Sequence, residues 1–476
     1  MEKYINNNSC QSRRITRSLT VLLCFFLLSC NKKELMPAPV GEAISFVDTT
    51  MSVTAYAERD TGHTLFWRAW RNSGIETKLA ANNPDYRFTL FLPGNAAMEA
   101  AGWNAARISR ASRQELDQLV SYHVTPVQII PDALALQAGN IELETMLLEP
   151  DHLVARRTAG VTYGRFVDPY RYDLGIVDGQ VRINNKEAGM AAQSAVLRKG
   201  SIFPVNRILQ KPRKSTRQVL VEDGRFTLFL GIRRYNDSLY SVLAAGRLPR
   251  TRSVSYEQNQ YVLGVNTVQN VKANNQALPM LDYLSDSNYL YNHRSSQFII
   301  TKEIYQTTLL APTDEAFRRA GFNTLNDLIA FNHRFPMPNP RGAGYCLPTD
   351  SILNHHFFGA NVRASENVLY NKNLNSYTTG MFGPNPPMLL YSNELRNEWV
   401  GNPMNRYLND ATAQSTSMAH VADPLDFSRQ GGDVVQVKVK GSEYEPATII
   451  EKDIETYTGV IQVLDRLLIP PGMKLN

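Results

Sequence analysis

Tyr122-His123 and His355-His356 are the adjacent pairs in this 476-residue sequence whose residue types invite a chemical reading. Neighbouring residues project about 100° apart on a helix and to opposite faces on a strand, so neither pair offers the i, i+4 imidazoles of a helical metal site. No carboxylate or third histidine stands at supporting spacing, and metal binding is not expected. Nucleophilic chemistry finds no framework either, because there is no Gly-x-Ser-x-Gly elbow and no glycine-rich phosphate loop. The carboxylates Asp314-Glu315 and Glu443 to Glu445 read as helix capping and solvated surface. The expectation is a protein without a cofactor that is not an enzyme.

Binding chemistry is better supplied. The stretch 341 to 409 carries "YTTGMFGPNPPMLLYSNELRNEWVGNPMNRY", in which Tyr377, Phe382, Trp399 and Tyr407 are interleaved with asparagines. Aromatic faces can stack on sugar rings while amides bond hydroxyls, and the same residues can equally form a satellite core beneath a long loop. Tyr122-His123 has the same two readings, as a recognition pair or as a partly buried imidazole satisfied by backbone.

Membrane chemistry appears at the N-terminus. Arg13, Arg14 and Arg17 precede the apolar run "LTVLLCFFLLSC", which is too short to span a bilayer comfortably and has the layout of a secretory signal. Its end, Leu27-Leu28-Ser29-Cys30, resembles the lipobox of bacterial lipoproteins, which implies removal of residues 1–29, lipidation of Cys30 and a tether over 30–45. Two or three acyl chains hold a protein stably at a membrane surface. The expected location is the cell envelope, anchored by lipid to an outer membrane and exposed at the surface.

Charge and cysteine content narrow the remaining classes. Lys and Arg total 50 against 44 Asp and Glu, a formal charge of +6, and loss of the signal would leave +3. That charge is not gathered into one run, so nucleic acid is not an expected partner. Cys10 and Cys24 leave with the signal and Cys30 carries lipid, so Cys346 remains alone and no internal disulfide can form.

The elements that must position these residues are written twice. "YRFTLFLPGNAAMEAAGW" at 86–103 overlays "YQTTLLAPTDEAFRRAGF" at 305–322 without a gap. Each reads as a strand closed by Pro93 or Pro312, a helix begun by Asn95 or by Thr313-Asp314, and a stop at Gly102 or Gly321 backed by an aromatic. "TLFWRAWRNSGIETKLA" at 64–80 pairs with 227–244, "LDQLVSYHV" at 116–124 with "TDSILNHHF" at 349–357, and "GSIFPVNRILQKP" at 200–212 with "GVIQVLDRLLIPP" at 459–471. The offsets grow along the chain, which places insertions in the second copy, among them 246–276, which reads as an extra hairpin or equally as an inter-domain buttress.

These segments resemble the fasciclin (FAS1) family, whose first motif is close to "TLLAPTDEAF" and whose closing motif is close to "GVIQVLDRLLIPP". The resemblance implies an α+β fold of two FAS1-like domains, 46–212 and 213–476. Each would be a twisted β-sandwich or wedge with helices packed along one side, the second enlarged by insertions. It also implies adhesion or matrix and ligand binding, with Tyr122 and His123 at the family's Tyr-His recognition pair and His355-His356 in its place in the second copy. The partners expected are the membrane and an extracellular protein or polysaccharide. The alternative is an accessory polysaccharide-binding lipoprotein of a glycan-uptake system, with Tyr377, Trp399 and Tyr407 on its platform.

Overall fold

Phe88–Pro93 and Gly200–Val205 are continuous apolar runs, and they lie side by side as parallel neighbours, with Gly200 opposite Phe88 and Val205 opposite Pro93. Parallel strands covered on both faces carry such unbroken runs because neither face meets water. The computed structural model describes residues 46–82, 85–137, 139–150, 153–157, 163–167, 169–244, 288–292, 297–301, 307–334, 337–338, 345–358, 389–397, 425–431 and 433–475. Cys30, Tyr377, Phe382, Trp399 and Tyr407 lie outside the described residues, as do the signal, the tether and the segment 246–276. Residues 45–476 form one compact unit of mixed α and β structure.

In the N-terminal half the parallel pair sits in a five-stranded sheet, ordered Phe46–Asp48, Ala195–Leu197, Gly200–Val205, Phe88–Pro93, Val124–Thr125. One face packs against helices: Leu90, Leu92 and Ile202 join Phe66, Ala69 and Trp70 of helix Thr64–Ser73 and Leu116, Leu119 and Val120 of helix Arg113–Ser121. The 66, 69, 70, 73 spacing aims one stripe of the first helix inward, and full burial of Phe66 contributes about 2–3 kcal/mol. On the other side Phe91, which packs beside Phe203, meets Tyr172 of a four-stranded sheet ordered Ile141–Glu144, Arg171–Val177, Gln180–Ile183, Lys186–Met190. Close approach of the two sheets requires Gly189, because a Cβ there would stand 2.3 Å from the Pro204 carbonyl oxygen.

The C-terminal half repeats the parallel pair. Thr307–Pro312 lies beside Gly459–Leu464, with Thr307 opposite Gly459, inside a six-stranded sheet ordered Phe357–Phe358, Thr307–Pro312, Gly459–Leu464, Ala447–Thr456, Val434–Val439, Leu425–Gln430. Leu309, Ala311, Ile461 and Val463 face the helices, whereas Leu310 and Leu464 join Val435, Val437 and Val439 in a second cluster. Register breaks at Ile449, Glu451 and Ile454 bend the long strand between them.

Two local expectations change. Asn95 does not cap its own helix, whose N-cap is Gly94. Its Oδ1 accepts from Leu65 N at 3.0 Å and Thr64 Oγ1 at 3.3 Å, so it caps the helix Thr64–Ser73 from 30 residues away. Asp314 does the same for helix Thr227–Ala244, accepting from Leu228 N at 2.8 Å and Thr227 Oγ1 at 2.6 Å, while Thr313 caps the helix that follows it. The helix from Thr64 also breaks at Gly74, which has φ +87°, and restarts at Ile75; the second copy has Asp237 there and runs unbroken to Ala244. The glycine stops occur as expected, Gly102 and Gly321 having φ +76° and +93° with Trp103 N and Phe322 N bonded back to Met98 O and Phe317 O.

Helix Arg113–Ser121 opens with a capping box: Ser112 Oγ accepts from Glu115 N and Glu115 Oε2 accepts from Ser112 N. Ser112→Ala is expected to lower stability by about 1 kcal/mol, read as a shift of the urea midpoint without a change in slope. An unchanged midpoint would show that the exposed helix end is satisfied by water alone.

Candidate functional site

All three expected histidines are interior groups. His123 follows helix Arg113–Ser121 and precedes strand Val124–Thr125, with 0% exposure. Its Nδ1–H donates to Leu119 O at 2.8 Å and its Nε2 accepts from Leu209 N at 3.0 Å, a pattern that only the neutral ring protonated at Nδ1 satisfies. Burial holds its pKa down at about 4, and the ring packs edge-on to Phe66. His356 is the counterpart, with 0% exposure, Nδ1 donating to Leu310 O at 2.7 Å and Nε2 accepting from Leu468 N at 3.0 Å. His355 is also buried, and its Nδ1 donates to Ser351 O at 2.8 Å. In each half one imidazole ties the segment after the last strand to the central helices and strands. As placed, none of the three presents a ring to a partner, because each is enclosed and at least one nitrogen is bonded to backbone.

Tyr122 is likewise buried, and sits at the centre of a tyrosine cluster, with ring centroids 5.8 Å from Tyr170 and 5.1 Å from Tyr172, both edge-on. Burial pushes the Tyr122 and Tyr172 phenols well above their ordinary range, so both remain protonated hydrogen-bond donors. Tyr170 is anchored outward, its hydroxyl donating to Glu149 Oε2 at 2.7 Å.

Beside this cluster the two halves meet through a turn. Strands Gln180–Ile183 and Lys186–Met190 are joined by Asn184-Asn185, which have φ +53° and +57°, the left-handed pair that a two-residue hairpin needs and that asparagine tolerates. Asn184 Nδ2 donates to Glu455 Oε2 at 2.8 Å, and Lys186 Nζ to Glu455 Oε1 at 2.6 Å. Asn185 Nδ2 donates to Asp453 Oδ2 at 2.8 Å and to Ser392 Oγ at 2.9 Å. These residues were not singled out by sequence reasoning, although Asn-Asn between two β-prone runs is a hairpin signal.

Tyr122, Tyr172, Asn184, Lys186, Arg207 and Glu455 line a cleft of about 310 Å³ at this junction. Its floor is the segment 208–212, which His123 holds through Leu209 N. Arg207 NH2 donates to Ile183 O at 3.1 Å. Two buried donors on the cleft residues, the Tyr172 hydroxyl and Arg207 Nε, have no hydrogen-bond partner. The cleft holds one carboxylate, already bonded by a lysine and an amide, and phenols that keep their protons. That inventory can donate hydrogen bonds and neutralise charge, and it contains no acid-base pair poised for proton transfer. Among the described residues no group of three His, Cys, Asp or Glu could hold a metal ion, and no helix is long and apolar enough to cross a membrane.

A mixed α and β unit with a parallel strand pair and a buried histidine tie in each half is a scaffold that presents surfaces and clefts. Residues 61–211 match the Fasciclin domain family. Among solved structures, the chain is similar to the FAS1 domain pair of the insect cell adhesion molecule fasciclin I, at 10% identity over 85% of this chain and 96% of that one, with a TM-score of 0.24. No curated protein matches it.

Proposed function

We propose that this is a non-catalytic, lipid-anchored protein of the cell envelope that acts in adhesion or extracellular ligand and matrix binding through two fasciclin-like domains in tandem. The observation that carries the reading is geometric repetition. The segment matched to the Fasciclin domain contains a parallel strand pair, a distant helix cap at Asn95 and a histidine tie at His123, and the C-terminal half has the same three devices at Thr307–Pro312 with Gly459–Leu464, at Asp314 and at His356. Two such units on a lipidated Cys30 would place binding surfaces outside the membrane, held there by acyl chains.

The test has two arms. Metabolic labelling with an alkynyl fatty acid should mark the wild-type chain and not Cys30→Ala, and the wild type should fractionate with the outer membrane. The full chain in detergent should bind saturably to immobilised matrix proteins or to cells. Unlabelled wild type would remove the anchor, and saturable polysaccharide binding with no protein or cell adhesion would replace the reading with that of a polysaccharide-binding lipoprotein.

A further inference from the structure

We propose that the cleft between the tyrosine cluster and the Asn184-Asn185 turn binds a small monoanionic carboxylate, about one hexuronate ring in size, with the Tyr172 hydroxyl and the Arg207 guanidinium as its donors. This goes beyond the adhesion reading, since it assigns a small-molecule site that adhesion does not need.

The argument begins with the unused groups. Tyr172 is 1% exposed, its ring is fixed edge-on by Phe91 at 5.5 Å and by Tyr122 at 5.1 Å, the residue lines the cleft, and among the described residues its buried hydroxyl has no acceptor. Buried hydroxyls ordinarily find a partner, so an orphan donor on a residue that lines a cavity marks the place of an acceptor that arrives from outside. Arg207 lines the same cleft with its Nε–H also unsatisfied.

Charge accounting sets the class of ligand. Lys186 is ion-paired with Glu455, and Lys211, another lining residue, is ion-paired with Glu149. Among the described residues no carboxylate lies within ion-pair distance of Arg207. Three cations, Lys186, Arg207 and Lys211, therefore share two carboxylates, Glu455 and Glu149, which leaves one positive charge in excess, and Glu455, which also offsets the Arg207 charge, would repel a second negative charge. A monoanion fits that balance, whereas a dianionic phosphate does not. A guanidinium and a phenol together match the two oxygens of a carboxylate. The volume of about 310 Å³ stands at the small end of ligand pockets and admits a single ring with its hydroxyls near Asn184, Gln210 and Lys211.

Calorimetric titration of the full chain in detergent with sodium galacturonate tests this, with galactose and inorganic phosphate as probes of the same protein. The expected result is saturable galacturonate binding, at least tenfold weaker binding of galactose and of phosphate, and at least tenfold weaker galacturonate binding by Tyr172→Phe. That variant removes one oxygen and keeps the ring, so its melting temperature without ligand should equal or exceed that of the wild type. Arg207→Lys should weaken galacturonate binding by a similar factor, because a point charge loses the planar fork. No heat with galacturonate, equal binding of galactose, tighter binding of phosphate, unchanged binding by Tyr172→Phe, or a Tyr172→Phe melting temperature several degrees below wild type would each overturn the assignment. None of these outcomes touches the adhesion assay or the Cys30 labelling.

Discussion

His123→Ala is expected to cost about 3–5 kcal/mol of folding free energy, enough to leave much of the N-terminal half unfolded at moderate temperature. The ring has 0% exposure, so its removal opens a cavity beside Phe66 and strips Leu119 O and Leu209 N of their bonds at once. Acid should act on the wild type through the same group. The folded pKa is about 4 against an ordinary value of 6.5, so between those pH values the unfolded chain binds a proton that the native ring refuses. Stability from the neutral ring is fully present above pH 6.5 and is lost as pH falls through that window, reaching about 3 kcal/mol by pH 4. Urea unfolding followed by Trp67 and Trp70 fluorescence reads this core directly. The wild-type midpoint should fall between pH 7.5 and 4.5 by more than that of the alanine variant, which has no ring to protonate. Equal midpoints for both proteins at pH 7.5 would show that the histidine tie is dispensable. His356 makes the same two kinds of backbone bond, to Leu310 O and Leu468 N, and His356→Ala is expected to weaken the C-terminal half comparably.

Much of this scaffold was legible in the amino-acid sequence because its signals are local. A proline-closed apolar run, a capped helix and a glycine stop followed by an aromatic each depend on a few consecutive residues, and both copies fold accordingly at Phe88–Trp103 and Thr307–Phe322. Periodicity does not show which strands pair: Phe88 finds Gly200, and Thr307 finds Gly459, through contacts that span more than a hundred residues. Separations of 30 and 86 residues likewise hid the true role of Asn95 and Asp314. Short polar residues at a helix start read as caps of that helix, yet their oxygens reach the first turn of an earlier one. The Tyr-His pair was readable as chemistry or as core, and the fold buries both rings, His123 against Phe66 and Tyr122 against Tyr170 and Tyr172. Of the cleft only Tyr122 was marked in the sequence, since Tyr172, Arg207 and Glu455 come from three strands or strand ends and nothing in their neighbours marks them.

Asp453→Ala is expected to open the junction of the halves, at a cost of about 3–5 kcal/mol. This carboxylate is 5% exposed and accepts four hydrogen bonds: from Ser392 N and Ser392 Oγ at 2.7 Å, from Asn185 Nδ2 at 2.8 Å and from Gln462 Nε2 at 2.7 Å. Alanine would leave all four donors without their acceptor, and at φ +57° would add about 1 kcal/mol of backbone strain that aspartate bears more easily. Asp453→Asn keeps the shape and the backbone preference but turns one acceptor into a donor, so it should cost less, about 1–3 kcal/mol. Asn185→Ala should be milder still, and a double-mutant cycle between the two should give a coupling of about 1 kcal/mol or more. Thermal melts of the four variants beside the wild type order these effects, and a wild-type melting temperature for Asp453→Ala would refute the account. Glu455 lies two residues along the same strand and takes Asn184 and Lys186 from the opposite side of the turn, so loosening Asp453 displaces one wall of the cleft. Galacturonate affinity should therefore fall together with stability in Asp453→Ala, whereas Tyr172→Phe should lower affinity alone.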